Sequence, residues 1–214
     1  MTANEKLILA KQAVAAQRAA MGRGTGAGAP SRDRLPPGQK LVSGWPVLDL
    51  GIQPDVPRGQ WRLSVKGLSE SRDFSWAEMM NLPQTRLNTD FHCVTSWSIY
   101  DAQVEGVLWR DLFAAIKIQP QAAHAMFTGF DGYTTNVSLE ELAKPDVAIV
   151  HSFGGEPLAR EHGGPARIWI PHLYGWKSAK WVRSIEFLAQ DKRGFWEVRG
   201  YHNHGDPWRE ERFS

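Results

Sequence analysis

The chain carries one thiol, Cys93, set in the run Asn88-Thr-Asp-Phe-His-Cys-Val-Thr-Ser-Trp-Ser98. A lone cysteine in an extended segment is most often a small buried hydrophobe. Its neighbours point the other way. His92, Thr95, Ser96 and Ser98 surround it with polar groups, whereas a core strand runs almost continuously apolar. Such a setting is compatible with a thiolate, which needs donors or positive charge nearby. Nucleophilic catalysis would need a base close in space, and seven histidines leave that open without singling one out. A single cysteine makes no intrachain disulfide and excludes a zinc site built mainly from thiolates.

A second dense stretch runs from His162 to Trp181, HGGPARIWIPHLYGWKSAKW. Gly163 and Gly164 lack a Cβ and so let the backbone approach a ligand closely. Arg167 offers a planar fork of donors suited to phosphate. Lys177, Ser178 and Lys180 place two ammonium groups and a hydroxyl around one turn. Together they fit a phosphorylated, polar cofactor, and a solvated basic loop fits the residue types equally well. This is no phosphate loop, since Gly-Lys-Ser/Thr with its upstream glycine is absent. His202 and His204 resemble a metal pair, but no third ligand stands in register. Asp131–Asn136 reads as a hydroxyl-rich turn. Ten tryptophans could form a stacking surface, yet their scatter through strands and turns suits core and interface packing. Trp97, four residues after the thiol, is the one most suspected of lining a pocket.

The scaffold that must position these groups is of ordinary soluble composition: 214 residues, 42% hydrophobic and 22% charged. Its formal charge of +2 gives no general case for nucleic-acid binding. That small number hides an asymmetry. Residues 1–34 carry Lys6, Lys11, Arg18, Arg23, Arg32 and Arg34 against Glu5 and Asp33, so a basic arm precedes a mildly acidic body. Ala3–Met21 is rich in good helix formers, with Leu7, Ala10, Ala13 and Val14 on one face. That face is mostly alanine, and the reading favours a loosely attached arm over a docking helix. Gly22–Pro37 reads as a flexible linker. The expected division is a basic helical arm and linker over 1–38, then one domain over 39–214. Lys6 and Lys11 interrupt any export-signal core, no adjacent arginine pair precedes it, and no apolar run reaches membrane-spanning length. A cytoplasmic protein with no membrane span is expected.

Within the body, Trp61–Lys66 alternates as a half-buried strand. Ser75-Trp-Ala-Glu78 is a capping box that starts a short helix ending before Pro83. Thr85–Cys93 is extended, Leu108–Ile116 helical, and Ala122–Thr128 and Asp146–Ser152 short buried strands. Ser138-Leu-Glu-Glu141 repeats the capping pattern. Arg167–Pro171, Val182–Ala189 and Gly194–Gly200 complete a mixed set. Strands outnumber short helices, which predicts an α+β, β-rich fold.

These stretches, read together, resemble the molybdopterin-binding domain of the sulfite oxidase family over roughly Leu35 to Phe213, and most closely its small stand-alone bacterial members. The matching blocks are Arg34–Gln39, Asp90–Ser98, Glu105–Leu112, Gly132–Asn136, His162–Arg167, Leu173–Trp181 and Gly200–Trp208. The resemblance implies an oxidoreductase in which a cysteine thiolate ligates molybdenum beside a single pterin, and Cys93 matches that cysteine. It implies that His162, Arg167, Lys177, Ser178 and Lys180 hold the pterin and its phosphate, with Thr128 and His92 joining the cofactor-binding set. Implied chemistry is two-electron oxygen-atom transfer on a small S- or N-oxide or an oxidisable anion. A separate electron-transfer protein is implied too, since no haem or flavin motif is present. The alternative reading is a non-catalytic pterin-binding subunit that docks a separate redox partner. At 214 residues, neither a haem domain nor an immunoglobulin-like dimerisation domain is expected beside it. Val94–Ser98 lacks the basic run that sulfite oxidases use and lies closer to the reductase pattern.

Overall fold

A computed structural model describes residues 3–21 and 34–214. Residues 22–33, most of the expected linker, lie outside the described residues. An N-terminal helix α1 (Ala3–Met21) comes first. The body then builds two sheets. The first contains β1 (Lys40–Leu41), β4 (Gln84–Cys93), β5 (Trp97–Leu108), β8 (Ala148–Phe153), β9 (Glu156–Pro157) and β10 (Arg167–Trp169). The second contains β2 (Arg62–Gly67), β3 (Arg72–Ser75), β6 (His124–Gly129), β7 (Thr134–Ser138) and β11 (Val182–Leu188). Three short helices intervene: α2 (Trp76–Met80), α3 (Trp109–Ala114) and α4 (Leu139–Leu142). The expected α+β, β-rich fold is what forms.

Local sequence explains most of these elements. In β2, Leu63 and Val65 are buried while Arg62 and Lys66 face water, the period-two pattern of a one-sided strand. At α2 the capping box is complete: the Ser75 hydroxyl accepts from the Glu78 amide, and the Glu78 carboxylate accepts from the Ser75 amide. At α4 it is half made. Ser138 caps the Glu141 amide, but the Glu141 carboxylate turns instead to Lys144, His172 and His204. Gly194–Gly200 forms no strand; it contains a single 3-10 turn at Glu197–Arg199.

The first sheet is organised around β5. Its whole length pairs antiparallel with β4, and its other edge pairs with β1 near Trp97 and with β8 from Val104 to Leu108. In the second sheet β11 lies between β2, parallel, and β6, antiparallel. One hydrophobic core takes side chains from both sheets, among them Phe91 and Trp169 of the first and Phe127 and Phe187 of the second. Just upstream of β1, the Arg34 guanidinium engages Asp90 and Asp101 and lies over the Tyr100 ring. Contact with the body therefore extends to residues before Gln39, and α1 makes contacts of its own through Ile8 and Gln12.

Candidate active site

Cys93 is the last residue of β4, at a corner so tight that Ser96 adopts a left-handed φ of 67°. The Ser96 amide returns to the Cys93 carbonyl at 3.0 Å, closing the turn into β5. Two long side chains hold this corner from outside. Gln39 donates to the Cys93 carbonyl at 3.0 Å, and the buried Arg212 guanidinium donates to the Val94 carbonyl at 2.6 Å. The Cys93 Sγ lies 3.2 Å from the Thr95 hydroxyl and faces a cavity of about 390 Å³.

Five of the residues singled out in the sequence converge on this cavity: Cys93, His162, Arg167, Ser178 and Lys180. Arg167, the first residue of β10, is almost wholly buried. Its guanidinium donates to the carbonyls of His162 at 2.9 Å and Ser178 at 2.7 Å, and it lies over the rings of Trp45, Phe91 and Trp169. No carboxylate pairs with it among the described residues. Burial pushes its pKa down to about 9, with the nearby Cys93 acting in the opposite direction. A desolvated cation held by neutral carbonyls is a ready partner for an anion.

Lys180 stands further along the same wall. Its ammonium donates to the Glu161 carbonyl at 2.7 Å and lies over the Trp181 ring. Burial and the charge of Arg167 bring it down to about 7, against the pull of Asp49 and Asp131. Affinity of the cofactor-free chain for sulfate, whose charge is constant in this range, should therefore fall as pH rises through about 7, since deprotonation removes a cation from the cavity. Isothermal titration across pH 6–9 checks this; the estimate is about tenfold for loss of one charge-assisted contact. A pH-independent affinity would place the anion away from Lys180. Ser178 contributes its carbonyl to Arg167 and its hydroxyl to the Ile170 amide. His162 stacks on Trp45 at 4.1 Å, and burial beside Arg167 lowers it to about 4, so its imidazole is neutral near pH 7.

Three other sequence-selected residues do not line the cavity. His92 precedes Cys93 in the strand and so projects to the opposite face. There its Nδ1 meets the Ser98 hydroxyl at 2.8 Å, and burial lowers its pKa to about 4. Thr128 lies near the end of β6 in the second sheet, paired with Ser184 of β11 and Thr134 of β7. Lys177 is buried behind the wall, 2.7 Å from Glu197 and 2.8 Å from the Asn136 carbonyl. Glu197 also accepts from Thr135 and from the Trp176 indole. The adjoining glycines act within the fold as well. A Cβ on Gly163 would meet that of Lys180 at 2.8 Å, and one on Gly164 would meet the Leu158 carbonyl at 2.2 Å. Their close approach is to the protein's own chain.

Much of the lining was not foreseen. Trp97 lines the cavity, as suspected, and so do Trp45, Trp176, Trp181 and Trp196, five of the ten tryptophans. Tyr133 and Tyr201 join them. Composition gave no signal for which aromatics would gather, because they come from segments far apart in the chain. His202 and His204 engage Glu211, and His204 also reaches Glu141. No group of three or more metal-ligating side chains forms among the described residues. No helix among them is long and apolar enough to cross a membrane.

Comparisons with known proteins show the family to which the chain belongs. Residues 50–196 match the oxidoreductase molybdopterin-binding domain. The chain is 38% identical over 186 residues to the uncharacterized oxidoreductase YuiH of Bacillus subtilis (strain 168), covering 85% of this chain and 92% of that protein. It is 24% identical over 178 residues to mitochondrial sulfite oxidase of Homo sapiens, covering 69% of this chain but 33% of that protein. Among solved structures, the sulfane dehydrogenase SoxCD of Paracoccus pantotrophus superposes with a TM-score of 0.61 at 19% identity, covering 69% of this chain and 42% of that one, which shows a shared fold. The chain is an oxidoreductase of the molybdopterin-binding family, related to the sulfite oxidases.

Proposed function

We propose that the chain carries out two-electron oxygen-atom transfer with molybdenum held by the Cys93 thiolate and by one pterin seated in the cavity. The substrate class is a small S- or N-oxide or an oxidisable anion. The observation that carries this reading is the convergence of the single thiol with a buried arginine that has no carboxylate partner among the described residues. The donor set suits the group: a soft thiolate for a metal bound by sulfur, and a guanidinium and an ammonium for a phosphate. When bound, molybdenum cycling between its +6 and +4 states supplies the two-electron change and exchanges the oxygen atom.

The chain's own residues supply position and environment. The pinned corner fixes the direction of the Cys93 Sγ, and the Thr95 hydroxyl beside it helps set its electron density. Arg167 and Lys180 provide the anion-binding end. The wall of Trp97, Trp176, Trp196 and Tyr201 narrows access of water, so polar contacts inside act at lower dielectric than in solution. A separate electron-transfer protein exchanges electrons with the site.

Protein made in a host that synthesises molybdopterin should contain equimolar molybdenum and pterin. Dye-coupled turnover across sulfoxides, N-oxides and sulfite should then identify one substrate group. Protein lacking both metal and pterin would sink the proposal. Loaded protein that turns over nothing in the panel would favour the non-catalytic docking role.

A further inference from the structure

Helix α1 crosses the mouth of the cavity. Ala10 and Lys11 are part of the cavity lining. Leu7 rests against the neighbouring loop, its Cδ2 standing 3.2 Å from where a Cβ on Gly51 would be. Ile8 packs against the core, and the Gln12 side chain donates to the Arg199 carbonyl at 2.9 Å. Positions 7, 8, 11 and 12 are the half-buried ones between Glu5 and Ala13, and they form one helix face. That face is short of apolar area. It turns a lysine inward at the place where a docked helix would ordinarily carry a hydrophobic residue.

The charges of the cavity form a series leading away from the thiol. Arg167 is electrostatically coupled to Cys93, and Lys180 is coupled to both Arg167 and Lys11. Asp49, in the loop beneath α1, faces Lys11 and Lys180 and offsets part of this positive charge. Closing α1 thus brings a third cation up to two others in a partly desolvated space. Beyond what Asp49 and Asp131 offset, that position costs free energy that a bound anion would relieve.

We propose that α1 is a strap over the cavity and that Lys11 binds the phosphate end of the cofactor, remote from Cys93, so that loading and closure reinforce each other. The inference rests on the cofactor reading of the preceding section. The coupling is reciprocal: a phosphate that binds better under the closed helix must equally favour closure.

The test uses cofactor-loaded full-length chain. Pterin release is followed after gel filtration, as the fluorescent oxidised derivative, for wild type, Lys11→Ala, Lys11→Arg and a chain lacking residues 1–21. Lys11→Ala and the truncated chain should release pterin about tenfold faster or more, the effect of losing a charge-assisted contact. Lys11→Arg should stay near wild type. Amide exchange in α1 should be slower in loaded than in cofactor-free protein. Equal release from all four proteins, or equal α1 exchange in the two states, overturns the strap while leaving the cofactor reading intact. A raised substrate KM in Lys11→Ala with unchanged release would assign the lysine to an anionic substrate and also overturn it. Wild type without pterin would overturn the strap and the cofactor reading together.

Discussion

Replacing Cys93 by serine should abolish turnover while leaving the fold in place. The substitution exchanges one small side chain for another at a buried position, and the Thr95 hydroxyl at 3.2 Å remains to satisfy the new hydroxyl. Stability should change by about 1 kcal/mol or less. Function should not survive, because a hard hydroxyl replaces the soft ligand that this metal–sulfur chemistry favours. Groups one step removed from a metal's ligands already cost about 10–100-fold when mutated, so loss of the ligand itself should exceed that range. The measurements are molybdenum content, the sulfur coordination number by X-ray absorption, turnover and the urea midpoint. A serine variant with wild-type turnover would remove Cys93 from the reaction. One that failed to fold would show that the thiol's packing matters more than its chemistry.

Lys177→Met should have the largest effect on stability. The ammonium lies 2.7 Å from Glu197, and both side chains are almost completely buried. Burial pulls the Lys177 pKa down and Glu197 holds it up, so the pair depends on both charges. Removing the cation strands a carboxylate that keeps Thr135 and Trp176 as donors but loses its counter-charge. Breaking one partner of such a pair costs about 3–5 kcal/mol. That is a large part of the roughly 5–15 kcal/mol that holds a domain together. The urea midpoint of cofactor-free protein should drop accordingly with an unchanged m-value. Adding Glu197→Gln to Lys177→Met should recover much of the loss, because no stranded charge then remains. If Lys177 instead served the cofactor directly, the cofactor-free variant would keep wild-type stability and fail only in loading.

The fold was legible wherever a local rule governs it. The alternation of Trp61–Lys66, the capping box at Ser75 and the helical spacing after Leu108 each correspond to an observed element. The long strand Trp97–Leu108 had no comparable signature. Polar Asp101, Gln103 and Glu105 break its apolar run, and pairing on both edges, to β4 and to β1 and β8, holds it as a strand. For the site, residue type and family pattern picked out Cys93, His162, Arg167, Ser178 and Lys180, which do meet. Side-chain direction was harder to read. His92 follows the period-two rule onto the far face, and Lys177 turns inward to a carboxylate twenty residues away that no short motif announces. The aromatic wall was least legible, because Trp45, Tyr133 and Trp196 become neighbours only after both sheets have formed.

If Cys93 holds the redox metal as proposed, the corner there bears on how fast electrons would pass. A transfer step is slowed when atoms around the redox group must rearrange as its charge changes. Here the carbonyl of Cys93 is bonded to Gln39, that of Val94 to the buried Arg212, and the turn between them is closed by Ser96. A thiol fixed on such a backbone has little freedom to shift, which keeps the reorganisation energy contributed by the protein small. Under the proposed function, Gln39 and Arg212, far apart in sequence and both bonded to the Cys93 corner, would thereby set part of the exchange rate with a redox partner.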